Sequence, residues 1–217
     1  MTDPVQRRIL YFADPMCSWC WGFAPVIAAL AGACEGVVPI RLCVGGLRPF
    51  TTEPMRARDK AFVRHHWETV AAETGQPFDF AFFEREAFVY DTEPACRAAV
   101  AVRGLAPEVT LRHLAALQRA FYAENRDVTR ADALAEVAAA FVARHDFEAV
   151  FGAEEAREAT LADFRLAKRL GIGGFPTVVL VEDNRAAVLS AGWQPFAALE
   201  QPLRAWLAGD MVVGATG

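Results

Sequence analysis

Two cysteines two residues apart, Cys17 and Cys20, stand in the segment Asp14-Pro15-Met16-Cys17-Ser18-Trp19-Cys20. There an apolar run, Arg8 to Ala13, gives way to helical spacing at Trp21, Ala24, Ala28 and Ala31. A strand that hands over to a helix at this point puts both sulfurs on the first helical turn, close enough to form a disulfide. Cys17 lies nearest the free backbone N–H groups and the positive end of the helix dipole, where a thiolate is stabilised. The pair reads as an exchange centre: Cys17 attacks a disulfide sulfur, and Cys20 resolves the mixed disulfide. Half a zinc site is a weaker reading, because zinc needs four ligands and the chain has neither a second Cys-x-x-Cys nor a His-x-x-x-His. Inert packing is weaker too, since a strand-to-helix turn is an unusual place for filler cysteines.

A second element, Gly174-Phe175-Pro176-Thr177, directly precedes the β-branched run Thr177 to Val181. Proline cannot sit inside a ladder, so Pro176 marks a strand start, and X–Pro is the one peptide bond that readily adopts cis. A cis-proline facing the dithiol would leave the Phe175 backbone free to pair with an extended substrate. A trans bond would merely begin the strand. Pro15, Met16, Trp19 and Thr177 join Phe175 and Pro176 as candidate substrate contacts, whereas Trp21 reads as core. Asp14 could tune the dithiol, but turn formation is the plainer role for its residue type.

The elements that must position these residues follow from periodicity. Arg8 to Ala13 reads as a buried strand and Cys17 to Ala33 as a helix kinked at Pro25. Val37 to Val44 is a second strand, ending at Gly45-Gly46. A helical middle follows: Arg56 to Thr74, a helix capped by Thr92 with Pro94 in its first turn, and another marked by Leu111, Leu114, Leu117 and Phe121. Thr129 to Asp132 approximates a capping box for an apolar face through Leu134, Val137, Phe141 and Val142. His145 continues that face and is expected to be partly buried; His65, His66 and His113 show no informative spacing. A last helix of this region runs from Glu154 to Leu170. The Phe78, Phe80, Phe82 and Phe83 group reads as packing between this region and the core rather than as a groove wall. Thr177 to Val181, a turn at Asp183-Asn184, Ala187 to Ser190 and a helix from Pro195 to Leu207 close the chain, with a tail expected to fray from Gly209. The outline is α/β: βαβ, a large helical insertion, then ββα.

Composition narrows the function. The chain has 217 residues, 54% hydrophobic and 23% charged, with a formal net charge of −5. At about 150 residues per domain this is one elaborated domain or two intimate ones. The acidic balance gives no general field for nucleic acid or anionic lipid. The longest apolar helix candidate, Ala24 to Ala33, is about half the roughly 20 residues a membrane span needs. The apolar stretch after Arg7-Arg8 meets Asp14-Pro15 too soon for a secretory signal, so a cytoplasmic location is expected. Five cysteines are an odd count, unsuited to a disulfide framework. Cys34, Cys43 and Cys96 read as small buried hydrophobes.

Taken together, these motifs resemble the DsbA family of thioredoxin-fold disulfide oxidoreductases. The resemblance rests on Tyr11 to Phe23 around Cys17-Ser18-Trp19-Cys20, on Glu93-Pro94-Ala95-Cys96-Arg97-Ala98, on Gln118 to Tyr122 with Arg126 to Thr129, and on Gly173-Gly174-Phe175-Pro176-Thr177. It is strongest to the cytoplasmic FrnE-like members, near the 2-hydroxychromene-2-carboxylate isomerases and kappa-class glutathione transferases. It implies a thioredoxin-like domain from residues 1–50 and 171–217, a helical insertion at 51–170, a dithiol active site, and Pro176 as the cis-proline. Ser18-Trp19 is not the Pro-His of the periplasmic oxidants, so their strongly oxidising character is not carried over. The isomerase and transferase relatives typically have serine at the position of Cys17; the complete dithiol here favours disulfide exchange with protein thiols or glutathione. The alternatives are a glutathione-dependent isomerase or transferase using Cys17, and a redox-gated binding protein without turnover. No metal or tightly bound cofactor is expected, and glutathione is the candidate co-substrate. The oligomeric state is not fixed by the sequence.

Overall fold

The computed structural model describes residues 6–210. The tail expected to fray from Gly209 falls, from residue 211 on, outside them. Four strands, β1 (Arg7–Ala13), β2 (Ile40–Val44), β3 (Thr177–Glu182) and β4 (Arg185–Ala191), form one sheet in the order β2-β1-β3-β4. β1 and β2 are parallel, with Ala13 beside Val44. β3 runs antiparallel to β1, with Thr177 opposite Phe12, and to β4. This register gathers the ends of β1 and β2 and the beginning of β3 at one edge of the sheet.

Side chains alternate across the pleat, so the sheet buries two faces. Ile9, Tyr11, Leu42, Val178 and Leu180 share an apolar cluster with α2 (Ala24–Cys34) and α9 (Phe196–Ala208), through Ile27, Leu30, Leu199, Leu203 and Trp206. On the other face, Leu10, Phe12, Cys43, Val179 and Val181 cluster with Ala167 of α8 (Glu154–Arg169). Between β2 and α8 lie α3 (Ala57–Thr74), α4 (Glu93–Leu105), α5 (Thr110–Tyr122), α6 (Ala131–Ala138) and α7 (Arg144–Gly152). The apolar core continues into them without a break. Trp67 is its centre there, with the rings of Phe82, Phe83 and Tyr122 at 4.9, 4.8 and 5.0 Å, so the phenylalanine group is packing. Asp163 of α8, only 1% exposed, accepts from Val44 N at 3.0 Å and pairs with Arg41 and Arg103 at 3.0 and 2.5 Å. This charge cluster fastens α4 and α8 to β2.

Local chemistry departs from the sequence expectations at four places. The kinked helix is two helices, α1 (Ser18–Gly22) and α2, separated at Phe23; Pro25 occupies the first turn of α2, where no amide hydrogen is required. β2 starts at Ile40 because Val37 and Val38 are turned back, their amides bonding the Cys34 carbonyl at 3.0 and 3.1 Å. Thr129 does not cap α6: its hydroxyl bonds Asp127 at 2.6 Å, and Arg130 holds the cap position. His145 is exposed, not partly buried, because α6 ends at Ala138 and His145 begins a new helix. It lies 3.0 Å from Asp146 with 85% of its side chain in solvent.

The buried histidine is His113. Neither ring nitrogen has a hydrogen-bond partner among the described residues, and Phe141 meets the ring edge-on at 5.5 Å. Burial lowers its pKa from 6.5 to about 3. Below pH 6.5 the unfolded chain takes up a proton that the folded protein refuses. Stability due to this residue is therefore complete above pH 6.5 and falls as the pH drops toward 3. At pH 5 the loss is about 2 kcal/mol, at about 1.36 kcal/mol per unit. His113→Met is expected to flatten this dependence, so that its unfolding free energy drops less between pH 7 and pH 5 than that of the native protein. Denaturant titrations at the two pH values measure the drop; equal drops would place the acid sensitivity elsewhere.

Candidate active site

At the end of β1 the backbone turns, with Cys17 N bonded to Asp14 O at 3.1 Å. The Asp14 carboxylate accepts from Met16 N at 2.8 Å, the side-chain-to-backbone bond that makes aspartate a turn former. Asp14 therefore shapes the turn but does not cap α1; Cys17 holds the N-cap position, with no side-chain cap bond. The second carboxylate oxygen accepts from Leu47 N at 2.7 Å and from the Cys96 thiol at 3.4 Å. Burial raises the Asp14 pKa, and these donors partly oppose the rise.

The two thiols of the pair are both reduced and sit in different surroundings. Cys17 is 5% exposed and Cys20 not at all. Cys17 Sγ donates to the Phe175 carbonyl at 3.5 Å and borders a cleft of about 260 Å³. The Cys20 thiol is pushed well above its usual range by burial first, then by its hydrogen bond to Cys17 and the charge Cys17 can carry. Tyr11, with its hydroxyl buried and unpartnered, is likewise held neutral by burial and by the nearby sulfurs. A larger cavity, about 770 Å³, lies between α2 and the segments Val37–Ile40 and Pro107–Arg112. It contains none of the residues expected at the site.

The expected residues gather at one edge of the sheet, with different degrees of access. The Phe175–Pro176 peptide bond is cis. Phe175 is half-buried and Pro176 buried, while Thr177, 5% exposed, bonds the Gly174 carbonyl at 2.8 Å. Pro15 and Met16 are buried; both Met16 backbone groups are used internally, the carbonyl accepting from the Tyr90 hydroxyl at 2.7 Å. Half-buried Trp19 lies 6.5 Å from the Trp193 ring. Trp21 is core, stacked on Tyr122. Cys34 and Cys43 are buried apolar residues, burial raising the Cys43 thiol to about 12. Sequence reading missed Tyr11, Tyr90, Cys96 as a donor to Asp14, and the loop Gly45–Arg48. One signal for that loop was present, a glycine pair directly after a strand parallel to β1. A Cβ on Gly45 would stand 2.2 Å from the tip of the Phe175 ring. Gly46, at φ +68°, lies under Phe164.

Comparison with known proteins agrees with this geometry. The family model described as thioredoxin matches residues 10–201. A crystal structure of a candidate protein disulfide isomerase from Nitrosomonas europaea has 38% sequence identity and a TM-score of 0.88, over 95% of this chain and 100% of that one. Cytosolic disulfide reductase DsbM from Pseudomonas aeruginosa is 32% identical with a TM-score of 0.74, over 94% and 98% of the two chains. A further DsbM structure contains glutathione. The ClpXP adapter protein SpxH of Halalkalibacterium halodurans is 24% identical over 182 residues, 82% of this chain. The chain spans 59% of the length of that curated relative.

The contact between Gly45 and Phe175 generates a test of the site's construction. Gly45→Ala is expected to drive the Phe175 ring from its seat and its carbonyl away from Cys17. The protein should stay folded, because the clashing atom is the free end of a ring. Disulfide exchange should slow by about ten- to hundredfold, the scale of a misplacement near 1 Å. In a Phe175→Ala background the same glycine change should cost little. Exchange rates of the four proteins with bis(2-hydroxyethyl) disulfide check this. Equal costs in both backgrounds would mean that Gly45 does not act through Phe175.

Proposed function

The chain belongs to the thioredoxin family, and from that premise we propose that it is a thiol–disulfide oxidoreductase in which Cys17 attacks and Cys20 resolves. The observation that carries the assignment is the asymmetry of the pair. Cys17 faces the cleft beside the Phe175 carbonyl, whereas Cys20 is wholly buried and held protonated. The Cys17 thiolate attacks one sulfur of a substrate disulfide, and the departing sulfur leaves as a thiolate that takes up a proton. Cys20 then loses its proton and attacks Cys17 Sγ, expelling the second substrate thiol and closing the Cys17–Cys20 disulfide. Two electrons have passed to the substrate, and two molecules of glutathione return them while becoming glutathione disulfide. Phe175 and Trp19 line the cleft in which substrate lies, and buried Pro176 shapes the backbone that follows Phe175. The resemblance to a cytosolic disulfide reductase supports the reducing direction, glutathione as co-substrate and a cytoplasmic setting. No helix among the described residues is long and apolar enough to cross a membrane.

A second reading has one observation in its favour, the resemblance to an adapter protein. In that reading the chain binds a partner and the dithiol gates the contact. Turnover separates the two. Catalytic reduction of protein or glutathione disulfides supports the enzyme, and a single stoichiometric oxidation without turnover supports the adapter.

The division of roles predicts an asymmetry between variants. Cys20→Ser incubated with glutathione disulfide should accumulate an adduct of one glutathionyl group on Cys17. Cys17→Ser should accumulate almost none, because a buried protonated thiol is a poor nucleophile. A brief iodoacetamide pulse on the reduced native protein should label Cys17 ahead of Cys20, Cys43 and Cys96, whose burial raises their pKa values. Intact and peptide mass spectrometry read both experiments. Equal trapping by the two variants, or first labelling at another cysteine, would overturn the assignment.

A further inference from the structure

We propose that Arg48 selects the substrate of this dithiol, binding a carboxylate of a small anionic thiol of the glutathione class. The inference rests on the exchange reading above and names what that site accepts. In a chain of net charge −5, the cleft beside Cys17 is lined by one side chain of permanent charge, Arg48, and by no carboxylate. Its remaining wall is largely aromatic and aliphatic, with Leu47, Phe62, Trp67 and Phe175 among the lining residues and the His66 imidazole beside them. At about 260 Å³ the cleft is slightly smaller than the roughly 300 Å³ at which pockets for drug-sized ligands begin. It admits a small thiol, or the end of one, better than a folded loop.

Arg48 is positioned but not used up. Its amide donates to Thr92 Oγ1 at 3.1 Å, and its carbonyl accepts from Thr92 N at 3.3 Å. The preceding residue, Leu47, is tied to Asp14. Thus the Arg48 backbone is fixed to the start of α4 and, through Leu47, to the turn that presents Cys17. Its guanidinium forms no ion pair among the described residues and lies 5.2 Å over the Tyr90 ring, leaving its in-plane N–H donors free. The other side of Arg48 borders a second cavity that holds Glu53, Arg56 and Asp59. Asp59 there is already hydrogen-bonded to Arg56 at 3.1 Å, and Glu53 is exposed. A planar cation with free donors at an aromatic-walled mouth suits a carboxylate, which accepts two of its N–H groups at once. Glutathione places carboxylates at both ends of a short chain whose middle carries the sulfur. A thiol with that spacing can present its sulfur to Cys17 while one end reaches the guanidinium.

The test reads selectivity in a single turnover, in which the reduced protein gives two electrons to the added disulfide and no other reductant takes part. Rates are measured for glutathione disulfide and for uncharged bis(2-hydroxyethyl) disulfide, with native protein, Arg48→Gln and Arg48→Lys. Arg48→Gln should lower the ratio of the glutathione rate to the uncharged rate by about tenfold, the scale of one charge-assisted hydrogen bond at a half-exposed site. Arg48→Lys should recover part of it. Added salt should slow the native reaction with glutathione disulfide and leave the Arg48→Gln reaction nearly unaffected. A ratio unchanged by Arg48→Gln, or both rates falling together, would overturn the assignment of Arg48 and leave exchange at Cys17 standing. Native protein that reduces neither disulfide would remove the exchange reading itself, and this inference with it.

Discussion

A single buried carboxylate joins the parts of this site. Asp14 is fully buried and makes no ion pair among the described residues, a placement that costs several kcal/mol unless hydrogen bonds replace the lost water. They come from three separate parts of the chain: Met16 N in the turn before Cys17, Leu47 N in the loop after β2, and the Cys96 thiol on α4. Because each donor answers the same desolvation cost, the three segments are fixed relative to one another. The turn that presents Cys17, the loop that presents Arg48, and the helix that backs both cannot shift independently. Cys96, a lone cysteine by sequence, is one of the groups that make the buried carboxylate tolerable.

Strand topology explains why those segments meet. A parallel β1–β2 pair brings both C-terminal ends to one edge, and antiparallel β3 begins at that edge. Three loops converge there, carrying Cys17, Arg48 and Phe175, as loops at the ends of parallel strands commonly form sites. The first and third were legible in the sequence, because Cys-x-x-Cys and Gly-Phe-Pro-Thr are local patterns whose chemistry follows from spacing. The Gly45–Arg48 loop was not, because its meaning lies in contacts with Asp14, Thr92 and Phe175 that no local pattern encodes. Even so, Gly45-Gly46 after a second strand was visible. Once that strand is known to run parallel to the first, the glycines fall beside the dithiol.

Two departures have different causes. The burial expected of His145 extends a helical period across a segment that bends, whereas the Thr129 cap rests on a residue pattern whose hydroxyl the neighbouring Asp127 takes up instead. The chain leaves the helix after Ala138 because Ala139 to Ala143 turns back before α7 begins. Periodicity records which residues are apolar, not whether the backbone between them is continuous. His113 shows the reverse failure. With no spacing argument it looked uninformative, yet it fills a closed apolar space against Phe141 at a cost set by proton affinity. Helix identity was much more readable than helix ends, since apolar faces extend over many residues and an end depends on one or two bonds.

Electrostatically, the interior of the site is quiet. Burial holds Cys20, Cys96, Tyr11, Tyr90 and Tyr122 in their neutral forms. Asp14, whose own pKa burial raises, is enclosed by its donors. These groups limit charge around the dithiol, and of them Tyr90 alone also lines the cleft. Discrimination between substrates must then come from the cleft mouth, where solvent and protein meet. There the aromatic wall offers stacking and apolar contact to many thiols alike. A charged group discriminates more sharply, because an unlike partner gains a directed bond while a like one is repelled. On the proposed reading the fold thus separates two tasks that share one loop edge: buried groups set which sulfur reacts, and Arg48 at the mouth selects what reaches it.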